Sequence, residues 1–257
     1  MNYWDMHSHS IHSEDAESSL ESMCLSAIEK SLSGIAFTEH VDFNPADKGY
    51  DYFRKDDYQK AIDSTRLKYK GKLSILKGME FSEPHLYPGQ FSHLAEGDWD
   101  VIIGSIHMMG DHFVGDSIIK TSDDLKDLYS RYFNMVLEMT RWGGFDILGH
   151  MDFPKRYFGK EAYPYDLIDL ILAELVRNQI ALEINTSPLR KGLGECSPDS
   201  EILRRYALAG GTMVTLGSDA HIPEDVAADF DKACSICLAI DGLRIGHFEK
   251  RRFVKDR

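Results

Sequence analysis

The stretch TMVTLGSDAH, residues 212–221, decides the fold class of this chain. Its first six residues form a mostly apolar run that predicts a buried strand, and two potential metal ligands, Asp219 and His221, follow at once. The same order, a buried strand and then a chemically active side chain, recurs along the chain. Since the carboxyl ends of parallel strands meet at one edge, this order predicts a parallel α/β fold with its site at that edge.

Six more apolar runs have the length of buried strands. They lie near residues 3–6, 35–38, 73–79, 100–106, 146–149 and 180–184. Between several of them, apolar residues recur three and four positions apart, which predicts amphipathic helices at 20–28, 125–139 and 167–176. Strands that alternate with helices in this way are typical of a parallel α/β architecture.

Six of the seven predicted strand ends carry a potential metal ligand. These residues are His7, His9, His40, Glu80, His107, His150, Asp219 and His221. An open sheet would gather only the strands beside its switch point, whereas a barrel gathers all strand ends around one mouth. We therefore predict a seven-stranded parallel β/α barrel. No linker or repeat divides the chain, so we expect a single domain over residues 1–257.

Composition excludes some functions and leaves others open. The 257 residues are 43% hydrophobic and carry 29 Lys and Arg against 42 Asp and Glu, a formal charge of -13. An acidic surface disfavours nucleic-acid polymers and anionic membranes as partners, but it permits metal ions and a small phosphate monoester. We find no leader-like or membrane-spanning stretch and only four cysteines, and we expect a cytoplasmic protein of undetermined oligomeric state.

The histidines and carboxylates predict a metal centre. In His7-Ser8-His9 the alternation of a strand turns both imidazoles to one side, and Asp219 and His221 repeat that spacing on the last strand. With a further donor from the loop after the first strand, either His12 or Asp15, nine donors predict two or three divalent ions. Mixed nitrogen and oxygen ligands suit zinc, manganese or iron.

Six ordered motifs identify a family resemblance. DMHSHS (5–10), FTEH (37–40), GMEF (78–81), GSIH (104–107), GHMD (149–152) and GSDAH (217–221) resemble those of the polymerase and histidinol phosphatase (PHP) superfamily. Two segments, GHMDFPKRY (149–157) and LEINTSPLRK (182–191), are similar to its histidinol-phosphate phosphatase branch. The resemblance implies a distorted seven-stranded barrel with a trinuclear metal centre and hydrolysis of L-histidinol phosphate, a step of histidine biosynthesis, by a metal-bridging hydroxide.

The same resemblance assigns roles to individual residues. It implies a first ion on His7, His9, Glu80 and Asp219; a second that shares Glu80 and adds His107 and His150; and a third on His40, His221 and Asp15, for which His12 is the alternative. Arg156 and Arg190 would bind the phosphate, and they join Glu80 and Asp219 as the catalytic residues. We expect the segment 82–100 to cover the mouth and recognise the substrate.

Other functions remain open on the sequence alone. A related phosphatase or phosphodiesterase could act on a nucleotide or another small phosphate ester, a sensor could bind metal and phosphometabolite without turnover, and an amidohydrolase could use a similar barrel. The general acid for the leaving group also stays open among His12, Asp42, His93 and a metal-bound water.

Overall fold

The computed structural model describes residues 3–256, so residues 1, 2 and 257 of the predicted domain lie outside the described part. Its strands are β1 (Trp4–Ser8), β2 (Gly34–Val41), β3 (Ser74–Ser82), β4 (Val101–Ser105), β5 (Met108–Met109), β6 (His112–Phe113), β7 (Ile147–Leu148), β8 (Ala181–Asn185), β9 (Met213–Gly217), β10 (Arg244–Glu249) and β11 (Arg252–Lys255). Its α-helices are α1 (Leu20–Glu29), α2 (Lys55–Lys68), α3 (Pro88–Ala95), α4 (Ser122–Trp142), α5 (Lys155–Phe158), α6 (Tyr165–Asn178), α7 (Ser187–Arg190), α8 (Ser200–Leu208) and α9 (Phe230–Leu238).

The main sheet has the strand order β1-β2-β3-β4-β7-β8-β9-β10-β11, and all its pairs are parallel except β10 with β11. Beyond β9 the chain returns to the first strand. There the amide of His9 donates to the carbonyl of Ala220 at 2.8 Å, and the amide of Asp219 donates to the carbonyl of His7 at 2.8 Å. These bonds join the two sides of the sheet at the carboxyl ends of its strands.

The opposite end is closed differently. Strand β10 pairs with the start of β9, and its His247 ring stacks on Trp4 of β1 with 3.7 Å between centroids. The predicted barrel is therefore confirmed in a distorted form. We call the end that carries His9, Glu80 and Asp219 the mouth, and the end beside Trp4 and His247 the base. At the mouth β1 bonds to the residues after β9, whereas at the base β10 lies beside β1.

Alternation along the strands fills the barrel and also aims the site residues. One apolar cluster takes residues from most strands of the sheet: Met6, Ala36, Leu76, Val101, Ile103, Ile147, Ala181 and Phe248. Along β2, Ala36 belongs to this inner cluster whereas Phe37 belongs to the larger cluster under the helices. Because side chains alternate, Thr38 and His40 face inward above Ala36, and Glu80 does so above Leu76.

The three predicted helices are confirmed as parts of α1, α4 and α6. Helix α4 begins with a capping box between Thr121 and Asp124, which satisfies its first free amide groups. The hairpin of β10 and β11 was not predicted, because its strands lack a sustained apolar run and only three residues of β10, Gly246, His247 and Phe248, are buried. In residues 3–256, no helix combines the length and the apolar character needed to cross a bilayer.

Candidate metal centre

The side chain of Glu80 lies at the middle of the mouth and is fully buried. Its Oε2 atom lies 3.0 Å from Nδ1 of His40, 3.2 Å from Nε2 of His7 and 3.6 Å from Nε2 of His9. Its Oε1 atom lies 2.9 Å from Nε2 of His150 and 3.4 Å from Nε2 of His107. The two oxygens thus face two different groups of imidazoles, which is the arrangement a bridging carboxylate needs.

Four overlapping sets of side chains place one ligand atom each within 4.8 Å of one another. They are His7, His9 and Asp219; His7, Glu80 and His150; His40, Glu80 and His107; and His9, His40 and His221. The first set lies within the first predicted group, whereas the second and third sets combine residues assigned to different ions, His7 with His150 and His40 with His107. The last set adds His9 to the predicted pair of His40 and His221.

The contacts inside these sets fit bound cations better than internal hydrogen bonds. Nε2 of His7 lies 3.1 Å from Nε2 of His9, and Nε2 of His107 lies 3.4 Å from Nε2 of His150. Among the described residues, neither Glu80 Oε2 nor His40 Nδ1 has a neighbour in hydrogen-bond geometry. Nitrogen and oxygen lone pairs that converge in a buried space are the donor set of zinc, manganese or iron, so the residues fit a metal centre.

Asp15 reaches the third predicted group and His12 does not. Oδ1 of Asp15 lies 3.6 Å from Nε2 of His40, and its Oδ2 lies 3.1 Å from Nε2 of His221. The ring of His12 lies instead against Tyr58, with 5.4 Å between centroids. The geometry therefore favours Asp15 as the donor from the first loop.

Three of the imidazoles are oriented through their second ring nitrogen. Nδ1 of His7 lies 2.6 Å from Oε1 of Glu183, Nδ1 of His9 lies 3.1 Å from Oγ of Ser13, and Nδ1 of His107 lies 2.9 Å from Oγ of Ser82. A partner at Nδ1 fixes the ring and leaves Nε2 to face the centre. These contacts at Nδ1 therefore orient the three rings toward Glu80.

Glu183 was missed by the sequence analysis. Besides His7, it accepts a hydrogen bond from the amide of His150 at 2.6 Å, so one buried carboxylate fixes residues of two metal-binding sets. A usable signal was present, because Glu183 interrupts the apolar strand IALEI, residues 180–184, with a charge. Buried carboxylates need a partner, and a search for charges inside predicted strands would have found it.

The electrostatics keep the central carboxylates ionised. Burial opposes the charge of Asp219, but Arg156 and His7 hold its pKa well below the usual value. Burial likewise opposes the charge of Glu80, and His7 and His107 hold its pKa well below the usual value. For His9, burial together with His40 and His221 lowers the pKa. The carboxylates are thus in the ionised state that metal ligands require, whereas for His7 burial opposes the charge but Glu183 and Glu80 raise the pKa, so a bound metal would displace a proton there.

Arg156 and Arg190 both line the cavity at the mouth, which has a volume of about 910 Å³. Nη2 of Arg156 donates to Oδ2 of Asp219 at 2.5 Å and to Oδ1 of Asn185 at 3.3 Å. Arg190 donates from Nη2 to the carbonyl of Ser218 at 2.8 Å, and its Nη1 has no partner within the described chain. Two guanidinium groups therefore stand beside the metal-binding cluster in one cavity.

The expectation that the segment 82–100 covers the mouth is wrong. Its Phe91 packs on Phe81 and Trp142, and its His93 is exposed on α3 and is not part of the cavity wall. Glu83 is buried and accepts the amides of His107 and Met108, and burial raises its pKa to about 7. The segment packs on the outer side of β3 because its apolar face fits the core there.

Two other segments, both acidic, line the cavity where the segment 82–100 was expected. The loop after β2 contributes Asp42 and Asp47, and the stretch 107–116, which contains the β5–β6 hairpin, contributes Asp111 and Asp116. Asn44 ties the two together by donating to the carbonyl of Gly110 at 2.8 Å. Apart from Asp42, a candidate general acid, this wall was not predicted, because neither segment carries a distinctive motif.

Comparisons with known proteins agree with this site. The family model described as PHP domain matches residues 5–187. A probable histidinol-phosphatase of Clostridium acetobutylicum is 31% identical over 96% of this chain and 97% of its own length, and a histidinol-phosphatase of Lactococcus lactis is 28% identical over 85% and 84%. The crystal structure of a histidinol phosphate phosphatase from Lactococcus lactis, complexed with zinc, L-histidinol and phosphate, superposes with a TM-score of 0.87 at 26% identity over 99% of both chains.

Proposed function

Since the chain belongs to the PHP domain family, we propose that it hydrolyses L-histidinol phosphate to L-histidinol and phosphate, a step of histidine biosynthesis. The observation that carries the proposal is the cavity at the mouth, where a cluster of metal-binding side chains lies beside two arginines. Both features suit a metal-dependent phosphatase, because the charges on the phosphoryl oxygens and on the departing oxygen must be neutralised where they lie.

The metal-binding residues would hold two or three divalent ions, with zinc, manganese and iron as the candidates. The ligands would be His7, His9, Asp15, His40, Glu80, His107, His150, Asp219 and His221. When bound, the ions would supply positive charge and an activated water to the reaction. The zinc in the Lactococcus lactis relative supports the nitrogen-rich donor set as a zinc site.

The chain's own cations would hold the phosphoryl oxygens. Arg156 and Arg190 approach the cavity from the loops after β7 and β8, and planar guanidinium groups bind phosphate oxygens in pairs. Nη1 of Arg190 is buried and has no partner in residues 3–256, and a phosphate oxygen would supply one. Arg156 also holds Asp219, so it links phosphate binding to the metal cluster.

The acidic wall of the cavity suits a positively charged leaving group. The loops after β2 and β4 bring Asp42, Asp47, Asp111 and Asp116 to the cavity, against a single lysine, Lys48, on the same loops. Histidinol carries an ammonium group, which this wall would attract, whereas a nucleotide carries none. Of the three side chains considered as general acid, Asp42 is the one that lines the cavity.

We further propose a single domain over residues 1–257 that acts in the cytoplasm on a small phosphate monoester. One sheet carries the proposed ligands, which supports the single domain. The four cysteines are buried and form no disulfide among the described residues, which is typical of a reducing compartment. The net charge of -13 disfavours a nucleic-acid polymer or a membrane as a partner.

The test is kcat/KM for L-histidinol phosphate beside mononucleotide, sugar and aryl phosphates, with metal content assayed in each preparation. We expect a preference of at least about 100-fold for histidinol phosphate, lost on chelation and restored by zinc or manganese.

Arg156→Met should lower kcat/KM about 100-fold, while Arg141→Met, on the exposed side of α4, should leave it unchanged. A preference for nucleotides would overturn the substrate, and binding without turnover would identify a sensor.

A further inference from the structure

A buried ion pair lies next to Arg156 and has no role in the chemistry described so far. Nζ of Lys155 lies 2.9 Å from Oδ2 of Asp152, and the two side chains are 3% and 0% exposed. Neither residue lines the cavity. Burying two charges costs desolvation energy that their attraction repays only in part, so such a pair is weak evidence for stability and prompts the question of what it holds.

The pair ties the short helix α5 to a distant segment of the chain. Asp152 accepts hydrogen bonds from the hydroxyls of Ser197 and Tyr163, the latter at 2.6 Å. Nζ of Lys155 donates to the carbonyl of Cys196 at 2.5 Å. Both members of the pair therefore bind the 196–197 segment, 41 or more positions along the chain.

The same segment also fixes Asn185, which, like Asp219, accepts a hydrogen bond from the Arg156 guanidinium. Asn185 and Ser197 exchange two backbone hydrogen bonds, of 2.7 and 2.9 Å. Oδ1 of Asn185 in turn accepts a bond from Nη2 of Arg156 at 3.3 Å. The helix that carries Arg156 and the amide that orients it are thus both anchored on residues 196–197.

We propose that Asp152 and Lys155 are positioning residues that hold Arg156 in place for phosphate. A helix of four residues has too few internal hydrogen bonds to fix a side chain, and α5 is of that length. Two-point binding of phosphate by a guanidinium group requires a fixed orientation, which the buried pair supplies through the backbone of α5. The proposal rests on the proposed function only in taking phosphate as the group that Arg156 binds.

The first measurement is the Kd of inorganic phosphate for the zinc-loaded protein, by calorimetry. Lys155→Met should weaken phosphate about tenfold, the value of one charge-assisted hydrogen bond, while the zinc content stays unchanged. Lys160→Met is the matched control. Lys160 also bonds to this part of the chain, through Glu195 and Asp199, but its side chain is 45% exposed, and its loss should change the Kd less than twofold.

A double-mutant cycle separates positioning from general destabilisation. In an Arg156→Met background, Lys155→Met should have no further effect on the Kd, because the residue through which it acts is gone. An equal weakening in both backgrounds, or a loss of zinc, would overturn the proposal. If Lys155→Met does not fold, the double change Asp152→Asn with Lys155→Met leaves no lone buried charge and enters the same cycle.

The outcome is independent of the organic substrate. A protein that fails to hydrolyse histidinol phosphate but loses phosphate affinity through Lys155 and Arg156 would refute the proposed function and keep the positioning role. A wild-type protein that binds no phosphate when loaded with zinc would refute the positioning role itself.

Discussion

The mouth and the base of the barrel both hold charged side chains. They differ in whether the chain itself supplies all of the partners for these groups. At the base, Arg251 binds Asp146 through Nε and the carbonyl of Gly144 through Nη2, the latter at 2.7 Å. Arg66 likewise binds Asp100, which also accepts the amide of Lys77 at 2.9 Å. Each of these charges is matched inside the chain.

At the mouth the buried polar groups outnumber the partners that the chain offers. Twelve buried side-chain atoms of the described residues have no hydrogen-bond partner, and six of them belong to proposed site residues. Those six are on His40, Glu80, His150, Arg156, Arg190 and His221. Two of them, Glu80 Oε2 and His40 Nδ1, lie 3.0 Å apart, whereas none of the twelve atoms belongs to the ion pairs at the base. The paired charges at the base leave no buried atom of the described chain free for a ligand, whereas polar atoms left without partners at the mouth indicate an external ligand.

The largest effect should come from Glu80→Gln. Because Glu80 faces two groups of imidazoles, its loss should remove more metal than any single histidine change and lower kcat/KM by about 1000-fold or more. Metal content by mass spectrometry and activity on the same sample are the measurements. Glu249→Gln, at an exposed carboxylate of the β10–β11 hairpin, is the control; if it loses as much metal, the effect is not specific to Glu80.

A smaller effect is expected for Glu183→Gln. Without the carboxylate, His7 loses a charged acceptor and the amide of His150 faces an NH₂ group, so zinc affinity should fall about 10- to 100-fold. Competition with a chromogenic chelator measures that affinity. Glu249→Gln, an exposed carboxylate of the β10–β11 hairpin at the base, should leave it unchanged. Equal affinities for the two variants would show that Glu183 has only a packing role.

The smallest effect should be at the base and on stability alone. Arg251→Met leaves Asp146, 9% exposed, without its cation; since Arg251 is itself 30% exposed, we expect a loss of about 2 kcal/mol in the free energy of unfolding. Urea titration measures it, and zinc content and KM should not change. A loss of zinc in this variant would mean that the base and the mouth are coupled.

The same variant has a pH dependence of known sign. Burial raises the pKa of Asp146 and Arg251 opposes the rise, so removing Arg251 raises that pKa further. A carboxyl group whose pKa is higher in the folded chain takes up protons on folding, and stability then falls as pH rises through that interval. The difference in unfolding free energy between wild type and variant should therefore be larger at pH 8 than at pH 5. A difference that grows on acidification would contradict this account.

Sequence reasoning reached most of the fold because its signals are local. The strand that precedes Asp219 and the amphipathic pattern of α4 could be predicted from spacing alone. The β10–β11 hairpin could not be predicted from the sequence, because its residues are buried only where they contact Trp4 and the inner cluster. Sequence reasoning also misplaced the segment 82–100, because packing on the outer side of β3 depends on partners distant in sequence.

The sequence by itself determined which strands would carry donors and that these donors would meet, because alternation and the common direction of parallel strands are properties of the chain. Only the tertiary structure decided that Asp15 rather than His12 faces His40 and His221, that Glu183 holds His7, and that Asp152 and Lys155 support Arg156. These relations depend on how the barrel closes and how loops from different strands pack at its mouth, and such contacts leave no periodic trace along the sequence.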